Sequence, residues 1–324
     1  LRISGFARYQ MGGAQNAAAN LTPNYHGFGS GGWNKYARGR INFDARSETE
    51  WGTLRGFVRF EVNSGQSINA NGSGNTVMPW MFVSLSTQQG ELLAGYLESA
   101  WAWSGPIGNY GTHSDDGGAY GFQRRSQIRY TFTAPEGFFG VLSVEDNNGR
   151  VIGGFAQDRQ WMPDVVGKLG VSQAWGGVYG AFGYDAVDES WAARIGAQLN
   201  VPNAPGSSLI GTFYWADSRN NAYTPQMRYA NGQGIDAFSN GAEWSAAVSY
   251  QHRFNPQFAA SVGYQYLSGF GAGDPHAHLV EVVGVWTPVR DLEIRTEVAY
   301  TKAEASGVNL DGAVSGFLRF QRNF

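Results

Sequence analysis

The stretch "GFLRFQRNF", residues 316–324, closes the sequence on an aromatic residue after a strict alternation. In an extended chain Leu318, Phe320 and Phe324 point to one side, and Arg319, Gln321 and Asn323 to the other. The last residues of a soluble protein usually fray into water and need no such pattern. Something apolar therefore lies along one side of this strand, either a protein core or lipid. Working outward, "YARGRINFDAR" (36–46) sets Ala37, Gly39, Ile41, Phe43 and Ala45 against Arg38, Arg40, Asn42, Asp44 and Arg46. "LRGFVRFEVN" (54–63) sets Leu54, Val58, Phe60 and Val62 against Arg55, Arg59, Glu61 and Asn63. "WAARIGAQLN" (191–200), "EWSAAVSYQ" (243–251), "QFAASVGYQY" (257–266) and "LEIRTEVAYTK" (292–302) alternate in the same way. Each is about ten residues long, the length of a tilted strand crossing a bilayer.

The connectors alternate as well. Short turns fall at 47–52, 87–91, 134–137, 174–177, 201–207, 253–256 and 287–291. Generally longer polar loops lie between them, at 12–35, 64–76, 97–122, 146–162, 186–190, 217–241, 267–277 and 303–312. This rhythm predicts about sixteen strands with long loops on one rim and short turns on the other, the construction of an outer-membrane barrel. A soluble sandwich of that many strands would normally split into two domains around dry cores, and no linker is visible. In hydrocarbon every backbone group must be paired internally, so a closed barrel with an apolar exterior is the natural all-β solution. Trp191, Trp215, Trp244, Trp286, Tyr250, Tyr264, Tyr266 and Tyr300 lie near strand ends on apolar faces, as interfacial girdles require. The reading is one domain over 1–324: an all-β, transmembrane, antiparallel up-and-down β-barrel of 16 strands with short periplasmic turns. Phe324 is expected at the membrane boundary, on a closing strand that pairs with "LRISGFARYQ" (1–10).

Composition narrows the function. Charged residues are 15% of the chain, against about 25% in soluble domains. The formal net charge of −3 argues against a nucleic-acid partner. With no cysteine there is no disulfide scaffold, thiolate metal site or cysteine nucleophile. The mean hydropathy of −0.32 is too polar for a bundle of membrane helices. The longest apolar run, "LVEVVGVW" (279–286), contains Glu281 and falls far short of the roughly 18–20 residues a spanning helix needs. The numbering starts at Leu1 without a methionine, so a removed leader and export are expected.

Several stretches resemble the alphaproteobacterial, rhizobial-type trimeric outer-membrane general porins. They are "GFARY" (5–9), "GWNKYAR" (32–38), "SETEWGTL" (47–54), "WMPDVVGKL" (161–169) and "RFQRNF" (319–324), in family order along nearly the whole chain. The resemblance implies a homotrimeric pore whose third long loop, 97–122, folds inward as a constriction. It also implies that the terminal aromatic residue is read during barrel assembly. Members often carry an amino-terminal segment with a pair of cysteines before the first strand. This sequence has neither, so any role of that segment does not transfer.

Arg38, Arg40, Arg46, Arg55 and Arg59 project to the polar side of the second and third strands, with Arg129, Arg194 and Arg319 farther along. Asp44, Glu61, Glu243, Glu281, Glu293 and Glu297 share that side. The expectation for the constriction is a basic cluster of Arg38, Arg40, Arg59 and Arg129 facing Glu98, Asp115 and Asp116 on the third loop. Opposed charges across a narrow gap orient polar solutes and water and raise the barrier for apolar molecules. The plainer alternative is that these arginines brace the wall while the acids sit in solvent. On the outward faces of the first two strands Gly5, Ala7, Ala37 and Gly39 are small where later strands carry tryptophan and tyrosine. Small residues let two surfaces approach closely in lipid, which marks a trimer contact; a strand bend or a lipid-filled gap is the other reading. The second loop, 64–76, would then reach over a neighbouring subunit, as the resemblance suggests.

Other signals are weaker. His276 and His278 in "HAH" (276–278) share one strand face, but two histidines alone seldom make a metal site. "GFGAGD" (269–274) has no following helix to complete a phosphate loop. "SDDGG" (114–118) is short of the six or more oxygens calcium takes. "NGS" (71–73) fits a glycosylation acceptor that means little in this setting. There is no GxSxG elbow, and the five histidines fall mostly in loops or turns, which disfavours an outer-membrane lipase. The expected function is passive diffusion of ions and small hydrophilic solutes, with no enzyme activity, cofactor or metal and with outer-membrane lipid and lipopolysaccharide as surroundings. The acidic third loop and the net charge lean towards weak cation preference. A substrate-selective channel for sugar or phosphate is the alternative, kept open by Trp101 and Trp103 on the loop. A surface-binding barrel would instead carry its function in the outer loops.

Overall fold

The computed structural model describes residues 1–15, 32–64, 75–103, 107, 111–114, 123–146, 151–152, 155–156, 161–224, 242–270, 275–305, 308–309 and 312–324. Sixteen strands of eight residues or more run through them. They are β1 (Arg2–Gln15), β2 (Gly32–Thr49), β3 (Gly52–Ser64), β4 (Asn75–Ser86), β5 (Gly90–Glu98), β6 (Arg124–Thr133), β7 (Phe138–Glu145) and β8 (Asp164–Gln173). There follow β9 (Gly176–Asp185), β10 (Ser190–Asn200), β11 (Ser208–Ala216), β12 (Ala242–Asn255), β13 (Phe258–Gly269), β14 (His276–Trp286), β15 (Leu292–Ala305) and β16 (Ala313–Asn323). Each pairs antiparallel with its neighbour in sequence. The ring closes where β16 pairs with β1, from Phe6 opposite Asn323 to Gln15 opposite Val314.

Phe324 completes the seam. Its amide donates to the Gly5 carbonyl at 3.0 Å, and the Gly5 amide donates to the Phe324 carbonyl at 2.9 Å. A side chain at Gly5 would place its first carbon 2.0 Å from the Arg40 carbonyl oxygen and 3.0 Å from the Phe324 ring. Gly5 is therefore small for a reason inside the chain. Closure removes the unpaired strand edge that hydrocarbon would not tolerate.

The wall is inverted relative to a soluble protein. Ile128, Leu142, Ile195 and Val282 are each more than half exposed, whereas Arg125, Arg194 and Arg319 are at most 2% exposed. Apolar side chains face outward and guanidinium groups face the enclosed space, so the solvent outside the barrel is lipid. One feature departs from the expected pattern. The inner face of β7 to β11 carries Phe139, Val141, Val166, Tyr179, Ala181 and Tyr214, all buried, where polar residues were expected. On β16 Phe317 also points inward and lies beneath the Arg319 guanidinium at 4.5 Å. The reason on β7 to β11 is that an inward loop covers these side chains, so they meet protein instead of water.

Candidate pore constriction

The described part of the 97–122 loop leaves β5 and crosses the interior in contact with the inner wall. At its start the Glu145 carboxylate on β7 accepts from Ser99 Oγ at 2.7 Å and from the Ala100 amide at 2.8 Å. The Lys168 ammonium on β8 donates to the carbonyl oxygens of Trp101, at 3.4 Å, and Trp103. Arg194 on β10 reaches the same Trp101 carbonyl at 3.4 Å. The Trp101 side chain is fully buried, edge-on to Tyr214 at 5.9 Å and tilted against Tyr223 at 5.4 Å. Ile107 joins the same cluster. Farther along, the His113 ring bonds Ser249 Oγ through Nδ1 at 2.7 Å and Ser208 Oγ through Nε2 at 2.9 Å. Ser114 Oγ donates to Glu297 on β15 at 2.6 Å, and Arg295 donates to the His113 carbonyl at 3.3 Å. The loop thus lies against the wall from β7 round to β15.

The strands that lie beyond the reach of these described loop contacts carry an arginine wall. The register sets Arg8 beside Arg38, Arg40 beside Glu61, Arg38 beside Asn63, and Arg59 beside Asn42. Each Nε has a neighbour on the wall: Arg8 with Gln321 at 2.8 Å, Arg38 with Asn63 at 2.6 Å, Arg40 with Glu61 at 2.6 Å and Arg59 with Asn42 at 2.8 Å. Aromatic rings back the cations. Arg8 and Arg40 lie over Phe6 at 4.7 and 4.6 Å, and Arg59 lies over Trp80 at 3.7 Å. Cross-strand bonds and ring faces together hold like charges side by side that would otherwise splay apart. All four arginines are half-buried, with part of each reachable from the lumen.

The expected site residues therefore divide. Arg38, Arg40 and Arg59 stand together on the wall of β2 and β3. Arg129 is buried and lies 4.7 Å over the ring of Trp103, on the covered side. Glu98 is buried at the end of β5, where its backbone carbonyl accepts from Gln127 at 2.9 Å. Asp115 and Asp116 lie outside the described residues, as do "GFGAGD" beyond Phe270 and the acids of "SDDGG". Gly5, Ala7, Ala37 and Gly39 do face outward on β1 and β2, Ala7 opposite Gly39. A side chain at Gly39 would meet nothing within 4 Å.

Sequence reasoning missed three anchors. Glu145, Lys168 and Tyr223 hold the loop, and the alternation in "DVVGKL" does place Lys168 on the same face as Asp164. Tyr223 could not be read, because the long connection after β11 gives no sign that its first residues turn inward. There Tyr223 donates to Asp164 at 3.3 Å, beside the buried Arg125–Asp164 ion pair of 2.9 Å, and Asn221 bonds Ser190 at 2.9 Å.

His113 makes the loop tip sensitive to acid. Burial, with Arg295 nearby, pushes its imidazole down to about 4. A released tip would carry an imidazole titrating near the ordinary 6.5. Release is thus unlinked to pH above about 6.5, becomes easier as pH falls through that value, and gains nothing further below about 4. Current noise in single-channel records should rise as pH drops from 7 to 4, and H113Q should flatten that rise. An identical pH response in the variant would remove His113 from the latch.

A closed barrel with a lipid-facing exterior, a charged lumen and a loop laid across its interior defines a water-filled channel of the outer-membrane type. Residues 1–317 match the family described as the porin subfamily. The chain belongs to that family. Porin Omp2b of Brucella suis biovar 1 (strain 1330) is 30% identical over 351 residues, covering 100% of this chain and 84% of its own. Porin Omp2b of Brucella abortus (strain 2308) shows the same identity and coverage. Among solved structures, the outer membrane channel DcaP of Acinetobacter baumannii has a TM-score of 0.74 at 13% identity, covering 100% of this chain and 96% of its own. An anion-selective porin from Comamonas acidovorans has a TM-score of 0.62 at 12% identity, covering 100% and 99%. These likenesses support the fold. The protein is a general porin of the bacterial outer membrane, a channel and not an enzyme.

Proposed function

We propose that ions and small hydrophilic solutes diffuse passively through the gap between the inward loop and the arginine wall. The observation that supports this reading is the path of the loop's described residues from β7 to β15, with the half-buried Arg8, Arg38, Arg40 and Arg59 on the strands outside that path. The constriction is then lined by Arg38, Arg40 and Arg59, opposed by Asp115 and Asp116 of the loop. Glu98 and Arg129 serve the loop's docking, since both are covered. The cation preference leaned on the loop acids and the net charge. Among the described residues the accessible charges weigh the other way, because Glu61, Glu145, Glu281 and Glu297 are buried while the arginines of β1 to β3 are not. Weak anion preference follows. Burial of Trp101 removes it from any aromatic track and weighs against a substrate-selective channel.

The working unit is a homotrimer in contact with lipid and lipopolysaccharide, packed through Ala7, Ala37 and Gly39 with Gly5 at the seam. The open space above Gly39 leaves room for a neighbour's side chain. Planar-bilayer recordings test the reading: conductance should appear in steps of three. In a salt gradient, replacing Asp115 and Asp116 by asparagine should shift the reversal potential further towards anions. No shift would remove those acids from the constriction.

A further inference from the structure

The outward surface of β13, β14 and β15 changes character in regular rows. Val262, Val282 and Val298 form one row of cross-strand neighbours, and Tyr264, Val280 and Tyr300 the next towards the long-loop rim. Beyond them come Tyr266, His278 and Lys302, and then His276 beside Glu304. Each row is two residues on, about 7 Å along the strand. Aliphatic side chains give way to tyrosines, the mark of a membrane interface, and then to imidazoles and an ammonium. The imidazole row thus sits at the depth of lipid headgroups, on the rim opposite the chain termini.

The cluster is built, not scattered. The Tyr264 hydroxyl lies 2.7 Å from His278 Nδ1, and the Tyr266 ring packs edge-on to His278 at 5.2 Å. His276 Nε2 lies 3.2 Å from Glu304, and Lys302 also pairs with Glu304. The His276 and His278 rings stand perpendicular, 5.7 Å apart. With the Tyr264 hydroxyl donating to Nδ1, the His278 proton resides on Nε2, on the side away from Tyr264. Glu304 sets the spacing between Lys302 and His276.

We propose that His278 and Lys302, positioned by Tyr264, Tyr266, His276 and Glu304, bind a phosphate group of the phosphorylated glycolipid in the outer leaflet. The imidazole N–H and the ammonium donate to phosphate oxygens, while the tyrosine rows below receive the top of the acyl region. The proposal rests on the lipid contact and outer-membrane placement given above. A basic side chain near an anionic headgroup surface is worth about 1 kcal/mol, close to fivefold in affinity.

The test compares the detergent-purified channel and its H278Q/K302Q variant for binding of phosphorylated lipopolysaccharide, enzymatically dephosphorylated lipopolysaccharide and inorganic phosphate, read by native mass spectrometry. The wild type should bind the phosphorylated form at least about fivefold more tightly than the dephosphorylated form. The double variant should bind both alike. Single-channel conductance should stay unchanged, because these residues face away from the lumen. Equal affinity of the wild type for both forms would overturn the proposal, as would a preference retained by the variant. Displacement of the glycolipid by millimolar inorganic phosphate would make this a free-phosphate site and overturn the lipid assignment. Should the double variant fold poorly, K302Q alone carries the same comparison. A wild-type channel that binds the glycolipid but fails to conduct would count against the pore reading alone.

Discussion

Replacing Trp101 by alanine is expected to raise single-channel conductance and its noise while the barrel stays folded. Among the described loop residues, Trp101 is a large side chain wholly enclosed among Tyr214, Tyr223 and the β7 to β10 wall. Truncating a buried tryptophan costs about 3–5 kcal/mol through lost burial and the cavity left behind. Here that cost falls on the docked loop, because a detached Trp101 in water loses little on truncation. The docked-to-detached ratio should therefore fall by a factor on the order of a hundred or more. The polar anchors remain, but Lys168 and Arg194 hold the Trp101 segment through its carbonyls, whose position depends on the ring seated beside them. The barrel itself depends on sixteen paired strands and not on this ring. Gel mobility that still changes on heating would show the wall intact. A W101A channel with the wild-type conductance and noise would mean that the loop is held elsewhere.

The second large effect concerns charge. Replacing Arg38, Arg40 and Arg59 together by glutamine should abolish anion preference and leave a cation-preferring channel. A unit charge about 7 Å from a passing ion in water contributes about 0.6 kcal/mol, near threefold in relative permeability. Three such charges change the ratio by something on the order of tenfold, less at high salt because the Debye length shrinks. Loss of Arg40 also leaves the Glu61 carboxylate without the ion pair it makes now, which adds negative charge to the same wall. The measurement is the reversal potential in a potassium chloride gradient, at low and at high salt. A triple variant with unchanged reversal potential would place the selective charges elsewhere in the lumen.

Legibility in the sequence followed the range of the interaction. Strand boundaries such as 292–302 within β15, and the outward or inward assignment of Ile41 against Arg40, needed only the two-residue period of an extended chain. The seam between "LRISGFARYQ" and "RFQRNF" was readable for the same reason: a closed barrel has to pair its first and last strands. The inward side of β7 to β11 was not readable. Tyr179 and Tyr214 alternate as polar-face residues would, and only a loop segment distant from them in sequence makes that face dry. Arg129 and Arg59 look alike in the chain, each an arginine on a polar face. The described part of the loop packs on Arg129 through Trp103, whereas Arg59 lies over Trp80 of the wall.

The sequence by itself determined that the chain is an antiparallel barrel with lipid outside and charge inside, because alternation acts locally and fixes the two faces of every strand. Only the tertiary structure decided which inward charges meet water. That depends on where the described residues of the inward loop lie against the wall, and the anchors that hold them (Glu145, Lys168, Tyr214, Ser249 and Glu297) come from five different strands that no local pattern brings together.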